Sequence, residues 1–440
     1  MQDVGPSELA ARDAAISDLR AVFGLRGYDR AETPILEQTE LYIRKSGGAL
    51  SSRLYGFSEP GGSEVSLRPE FTSAILRLAA DNGSVSGPVR IMYDGPVFRY
   101  ASPEDDEGDK TRQFTQLGAE LIGAPAPSAD GEVIAMALEG LESLGFDNAR
   151  IVIGHVGVVV AALTEFELSE RAKLFLINNI AQLRDGDLDG VTEKASTLGF
   201  ISDAVVDDAQ AAADRERIAS TIEQVMTEGI GVTLGKSTGA RSPQDIISRL
   251  SRKMSQADNP ANFKNALNML AALSKVNGPV DKAIAEGTSV LSTAGVSTEL
   301  MSNLSAVLDS AELEGVSPDR ISVDFGMARG IAYYTGMLFD LYADKNANET
   351  LGGGGRYDGL TRALGYDKDV PALGFAYNLD AVVAASNSSA DFEPETIIVS
   401  PTEEGSIGEA VQKARDLRSK GKRAAIDFQQ TDVSRAGESP

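Results

Sequence analysis

Apolar residues recur at helical spacing across residues 7–22 (Leu9, Ala14, Ile16, Leu19, Val22), which predicts a surface helix capped by Ser7 and ended by Gly24 and Gly27. Residues 28–40 read as extended, and Pro34, with no N–H for a ladder, assigns them to an edge or interface strand. Between 54 and 123, short strand-like runs at 89–93 and 114–121 alternate with glycine or proline and with one helix, 71–80. That order predicts an antiparallel α+β arrangement instead of repeating βαβ units. A helix at 131–144, a buried strand at 151–153 and a helix over 154–163 follow.

From about 168 to 314 the pattern turns helical, with Ser202, Ser242 and Ser297 as candidate caps. This stretch reads as an insertion within one sheet domain, because strand character returns at 321–325, 337–342, 352–357 and 372–377. A final strand, helix and strand (396–399, 405–419, 423–427) form a single βαβ-like unit.

Composition narrows the chemistry. The 440 residues include no cysteine and one histidine, which excludes thiolate catalysis, disulfides and Cys/His metal clusters, so no metal or cofactor is expected. A formal net charge of -24 opposes a polyphosphate partner, so no nucleic acid is expected. The start of the chain lacks a basic region followed by an apolar run, and no apolar span has membrane length, so a cytoplasmic protein with no membrane partner is expected.

Four segments carry candidate chemistry. Glu70 and Thr72 sit at a strand-to-helix turn, where they either hold an ammonium group or serve the first amides of the helix. Arg99 ends an apolar run, and period two places Arg112, Phe114, Gln116, Gly118 and Glu120 on one face of the next strand. Glu120 there needs a partner if buried, so the face either lines a polar pocket or is solvated. In the segment 329–336 an extended strand gives Arg329 and Tyr333 one face and Tyr334 the other. The glycine run 352–355, followed by Arg356-Tyr357-Asp358-Gly359, permits close backbone approach to a ligand or a strand, and it lacks the Lys-Ser/Thr ending of a phosphate loop. His155, alone near a helix start, reads as a capping or packing residue.

In this order the motifs resemble the class II histidyl-tRNA synthetase core, and more closely its paralogue, the ATP phosphoribosyltransferase regulatory subunit of histidine biosynthesis. The resemblance covers roughly 7–383, with Pro34 in motif 1, 98–120 in motif 2 and 374–381 in motif 3. It implies a class II synthetase-like antiparallel sheet core with flanking helices, a helical insertion and a short C-terminal α/β remnant. The expected divisions are 1–165 and 316–390 for the core, 166–315 for the insertion and 391–440 for a truncated anticodon-binding-like segment. By the same resemblance Glu70, Thr72 and Gln116 hold a histidine ammonium, Glu120 and Tyr334 its imidazole, and Arg99 and Arg329 its carboxylate, with Tyr333 alongside.

The departures set the functional expectation. Ala381 replaces the motif 3 arginine that clamps ATP and Ala101 a motif 2 glutamate that contacts adenine, whereas Ala332, in place of an aspartate in the histidine-specific strand, bears on the pocket alone. Read together, the first two imply not an enzyme but a non-catalytic, allosteric regulatory subunit in histidine biosynthesis. It would bind L-histidine as a feedback signal and partner a short-form ATP phosphoribosyltransferase catalytic subunit, as a homodimer within a hetero-oligomer. The alternative is a histidine-tRNA ligase.

Overall fold

The computed structural model describes residues 3–46, 53–81, 87–100, 111–201, 257–327, 333–365, 367–386, 396–401 and 407–427. The first helix, α1 (Pro6–Leu25), starts on a proline, whose missing N–H costs nothing in the first turn, and so begins ahead of the expected Ser7 cap. Gly24 lies inside it, and the chain leaves the helix through Gly27 at φ 79°. The single strand expected at 28–40 is two, β1 (Asp29–Arg30) and β2 (Leu36–Gln38), with Pro34 interrupting them. Next come α2 (Thr39–Ser46), β3 (Gly56–Ser58), β4 (Glu64–Leu67), α3 (Thr72–Asp81), β5 (Val89–Phe98) and β6 (Gln113–Ile122). They lead into α4 (Ser128–Ser143), β7 (Arg150–His155) and α5 (Val156–Thr164).

The helical segment contains α6 (Glu170–Asn178), α7 (Ile180–Arg184), α8 (Leu188–Thr197), α9 (Pro260–Leu273), β8 (Asn277–Pro279), α10 (Val280–Thr293) and α11 (Met301–Leu313). Local side chains fix its starts. Ser169 accepts the N–H of Ala172 at 3.2 Å, Asp187 that of Gly190 at 2.9 Å, and Asn259 that of Ala261 at 2.9 Å ahead of Pro260. Ser297 accepts from Glu299 as expected, whereas Ser202 and Ser242 lie outside the described residues. The remaining elements are β9 (Ile321–Asp324), β10 (Met337–Tyr342), β11 (Thr350–Arg356), α12 (Leu360–Ala363), β12 (Ala372–Asn378), α13 (Leu379–Ala385), β13 (Ile397–Val399), α14 (Ile407–Ser419) and β14 (Ala424–Ile426).

One nine-stranded sheet runs β1-β5-β6-β12-β11-β10-β7-β9-β8, and a three-stranded sheet runs β2-β4-β3. Pairing in the large sheet is antiparallel except for β1 with β5 and β7 with β9. The glycines of β11 sit in its middle, where the strand pairs with both neighbours. A Cβ at Gly354 would overlap the carbonyl of Gly374 and the side chain of Phe375, so the run serves strand approach.

On one face, Phe375 meets Phe23 of α1 edge-on at 5.6 Å, and the Tyr377 hydroxyl donates to the Ala137 carbonyl of α4 at 2.6 Å. The other face carries a core of Phe71, Ile75, Leu76, Ile91, Tyr93, Val97 and Phe114, against which Tyr333 and Tyr334 pack.

The chain forms two compact units, one spanning 18–381 and the other combining the start of α1 with residues from 382 onward. In the second, β13 pairs with β14 in parallel, as a βαβ-like unit requires, and Val399, Ala410, Ala414 and Ala424 form its core. Among the described residues no helix is long and apolar enough to cross a membrane.

Candidate amino-acid pocket

Glu120 is the centre of the site. The residue is 1% exposed, so it is buried and not on a solvated face. Period two along β6 turns it to the same side as Phe114, as expected. Tyr93 of β5 donates its hydroxyl to one carboxylate oxygen at 3.0 Å, and Tyr357, just past β11, donates to the other. Gly374 faces Glu120 across the β6–β12 pair, and a Cβ there would occupy the space of the carboxylate. Glycine at 374 therefore makes room for an acid in the middle of a sheet.

Tyr93 is the structural hinge between Glu120 and the start of α3. Its ring stacks on Phe71 at 4.4 Å and 14°, and its hydroxyl is also hydrogen-bonded to Thr72. Burial, reinforced by the charges of Glu120 and Glu70, pushes the phenol well above its ordinary range, so it serves as a neutral donor. Arg68 fixes Phe71 from behind, with its guanidinium 4.0 Å from the ring centre and bonds to the carbonyls of Thr33 at 2.7 Å and Pro96 at 2.8 Å.

Of the two roles open to it from sequence, the structure shows Glu70 serving an amide at the helix start. Both its oxygens lie 3.3 Å from the Ser73 N–H, in the first turn of α3, while the carboxylate is buried and acts electrostatically on Arg99 and Tyr93. Arg99 donates to the Pro69 carbonyl at 2.9 Å, and its guanidinium lies 5.0 Å from the Phe114 ring. Burial lowers its pKa, opposed first by Glu70 and also by Tyr333 and Tyr334. Gln116 is half-buried on β6, opposite Gly95 of β5 and Asn378 of β12.

Tyr333 and Tyr334 do not alternate across a strand. They lie in a turn before β10, so both rings fall on one side, with centroids 4.3 Å apart and their hydroxyls linked. Burial, then Tyr333 and Glu120, push the Tyr334 phenol up, which places it within electrostatic reach of Glu120. Of the residues expected at the site, Glu70, Thr72, Arg99, Gln116, Glu120, Tyr333 and Tyr334 are described, whereas Arg329 and the departures at Ala101 and Ala332 lie outside the described residues. Sequence reasoning missed Tyr93 and Tyr357. A buried phenol needs a partner, as a buried carboxylate does, but the strand register that matches them is not visible in the residues.

The site thus brings together a buried carboxylate with two phenols, a second buried carboxylate and a buried guanidinium. The family profile of histidyl-tRNA synthetase matches residues 1–229 and 242–382. The chain belongs to the histidyl-tRNA synthetase family.

Its relatives in that family span almost the whole chain. Histidine–tRNA ligase of Methanocaldococcus jannaschii is 28% identical over 430 residues, covering 97% of this chain and 84% of the relative. That of Methanococcus maripaludis is 29% identical over 439 residues, covering 99% and 87%. Among solved structures, a Bacillus halodurans protein described as an ATP phosphoribosyltransferase regulatory subunit/histidyl-tRNA synthetase superposes with a TM-score of 0.67 at 24% identity, covering 98% of this chain and 92% of that one. This likeness shows the class II synthetase-like α+β fold.

The ligase relatives overturn the expectation that the chain is not an enzyme. That expectation rested on Ala101 and Ala381. A missing charge-assisted contact weakens binding by about 1.5–3 kcal/mol, an amount that neighbouring contacts can supply. Ala381 itself is buried in the first turn of α13, its N–H on Asn378 Oδ1 at 3.3 Å, while Asp380 beside it accepts the Thr115 N–H at 3.1 Å.

His155, outside the pocket, caps α5 by accepting the Val158 N–H on Nδ1 at 3.2 Å, as its position suggested. Among the described residues no group of three or more metal-ligating side chains converges.

Proposed function

We propose that this family member takes free L-histidine into the pocket around Glu120 and acts as a histidine–tRNA ligase. The observation that carries the reading is the buried Glu120, held by two phenols and neighboured by Tyr334, with Glu70 and Arg99 in electrostatic reach of the same tyrosines. A carboxylate held in this way selects a ligand ring that presents an N–H, and the acid and guanidinium beyond it suit the two ends of a free amino acid. The relatives that support the ligase activity extend over both units of the chain.

A second reading keeps the same pocket and changes its output. Ala381 at the motif 3 position and the likeness to the Bacillus halodurans protein favour a role in ATP phosphoribosyltransferase regulation, with a short-form catalytic subunit as partner and histidine as the signal. In that case histidine would act through unequal affinity for two states of the complex.

Histidine-dependent exchange of pyrophosphate with ATP separates the two. The ligase reading expects exchange above the level without histidine. Absence of exchange, together with histidine inhibition of a co-expressed short-form catalytic subunit, would replace it with the second.

A further inference from the structure

We propose that the buried Asp130–Arg356 ion pair is a positioning device for the imidazole side of the pocket, a role that rests on the histidine reading above. Asp130 lies on α4 and Arg356 ends β11, and their side chains are 1% and 4% exposed. The guanidinium grips the carboxylate with a fork, Nη2 to Oδ2 at 2.7 Å and Nε to Oδ1 at 3.0 Å. Its remaining arm, Nη1, donates to Asp358 Oδ1 at 2.9 Å and to the Ala124 carbonyl at 3.3 Å.

The backbone of Arg356 links the pair to the site in two ways. Tyr357, the next residue, donates to Glu120. The Arg356 carbonyl accepts the Thr335 N–H at 2.8 Å, which fastens the turn immediately after Tyr334. Asp358 completes a ring of bonds, giving its N–H to Thr335 Oγ1 at 3.0 Å and accepting the Ala372 N–H at 3.0 Å. The Arg356 stem also lies where Gly336 has no side chain, since a Cβ there would come 2.9 Å from Arg356 Cδ. One anchored arginine therefore sets the place of Tyr334 through its carbonyl and of Tyr357 through the chain. Glu70 and Thr72 lie at the start of α3 and Arg99 just past β5, and none of them takes part in these bonds.

This division gives the role a signature that loss of stability alone lacks. The ligands are L-histidine and β-(2-thienyl)-L-alanine, which has the same ammonium, carboxylate and five-membered ring but no ring nitrogen. Calorimetric titration of wild type and Arg356→Lys, below the variant's melting temperature, should show histidine affinity lowered about ten-fold or more, with thienylalanine affinity changed by less than about two-fold. Asp358→Ala, at a half-exposed position, leaves the fork intact and should shift the same ratio by about three-fold, which keeps the test open if Arg356→Lys does not fold. Variants that favour histidine over thienylalanine as strongly as wild type, or that lose both ligands equally, overturn the positioning role alone. A wild type that does not distinguish the two ligands overturns the histidine reading on which the role rests.

Discussion

Lowering the pH places a calculable load on His155. The chain has a single histidine, so its ring resonances need no assignment. Burial is the main cause that lowers its pKa from 6.5 to about 4, and Nδ1 must stay unprotonated to accept from Val158. The unfolded chain takes up the proton near 6.5 and the folded one only near 4, so between these values the unfolded state binds more protons. Stability is thus complete above the upper value and is lost as the pH falls through the window. The loss amounts to ~2 kcal/mol at about pH 5 and ~3 kcal/mol once the folded ring is also protonated.

His155→Asn keeps a side chain able to cap the helix but does not titrate. Carboxylates titrate in both proteins, so the informative quantity is the difference in urea unfolding free energy between wild type and variant. It should move in favour of the variant by ~2 kcal/mol between about pH 7.5 and pH 5. Proton NMR of the ring C2–H, without added histidine, should give a midpoint near 4. A midpoint at or above about 6, or a difference that does not vary with pH, would refute the burial argument.

Two substitutions probe the pocket directly. Glu120→Gln conserves volume and removes the charge, and calorimetry should find L-histidine bound about ten- to a hundred-fold more weakly, as expected for a charge-assisted bond of about 1.5–3 kcal/mol; affinity within about two-fold of wild type would count against the assignment. Gly374→Ala forces a methyl group into the space of the Glu120 carboxylate, so urea unfolding should show a loss of about 1–3 kcal/mol along with weaker histidine binding; an unchanged midpoint would mean that the sheet yields more easily than its packing suggests.

The fold was largely legible because its strands and helices follow hydrophobic period. Strands β5, β6, β10 and β12 fall where alternation and punctuation placed them, and β13, α14 and β14 form the expected final unit. Where expectation failed, a local pattern was outweighed by something nonlocal. Residues 277–279 fall within the stretch that reads as helical, yet as β8 they pair with β9. Tyr333 and Tyr334 were assigned opposite faces on the premise of an extended chain, and a turn, tied to Arg356, brings their rings together. Glu120 could be singled out because a carboxylate on a face shared with Phe114 needs a partner. Its partners could not be named, since Tyr93 and Tyr357 reach it from separate strands through register and not through spacing. The glycine run was read for its backbone alone, which hid the tyrosine two residues beyond Gly355.

The three-residue strand β8 also bears on how separable the helical segment is. Asn277, Gly278 and Pro279 pair with Asp324, Val323 and Ser322, and so occupy the outer edge of the nine-stranded sheet. Without them β9 would present open hydrogen-bonding groups, a template for recruiting another chain. Pro279 itself has no N–H to offer outward. The helical segment is therefore stitched into the sheet as its hem, and any shortened form of this protein that is to stay monodisperse has to retain those three residues.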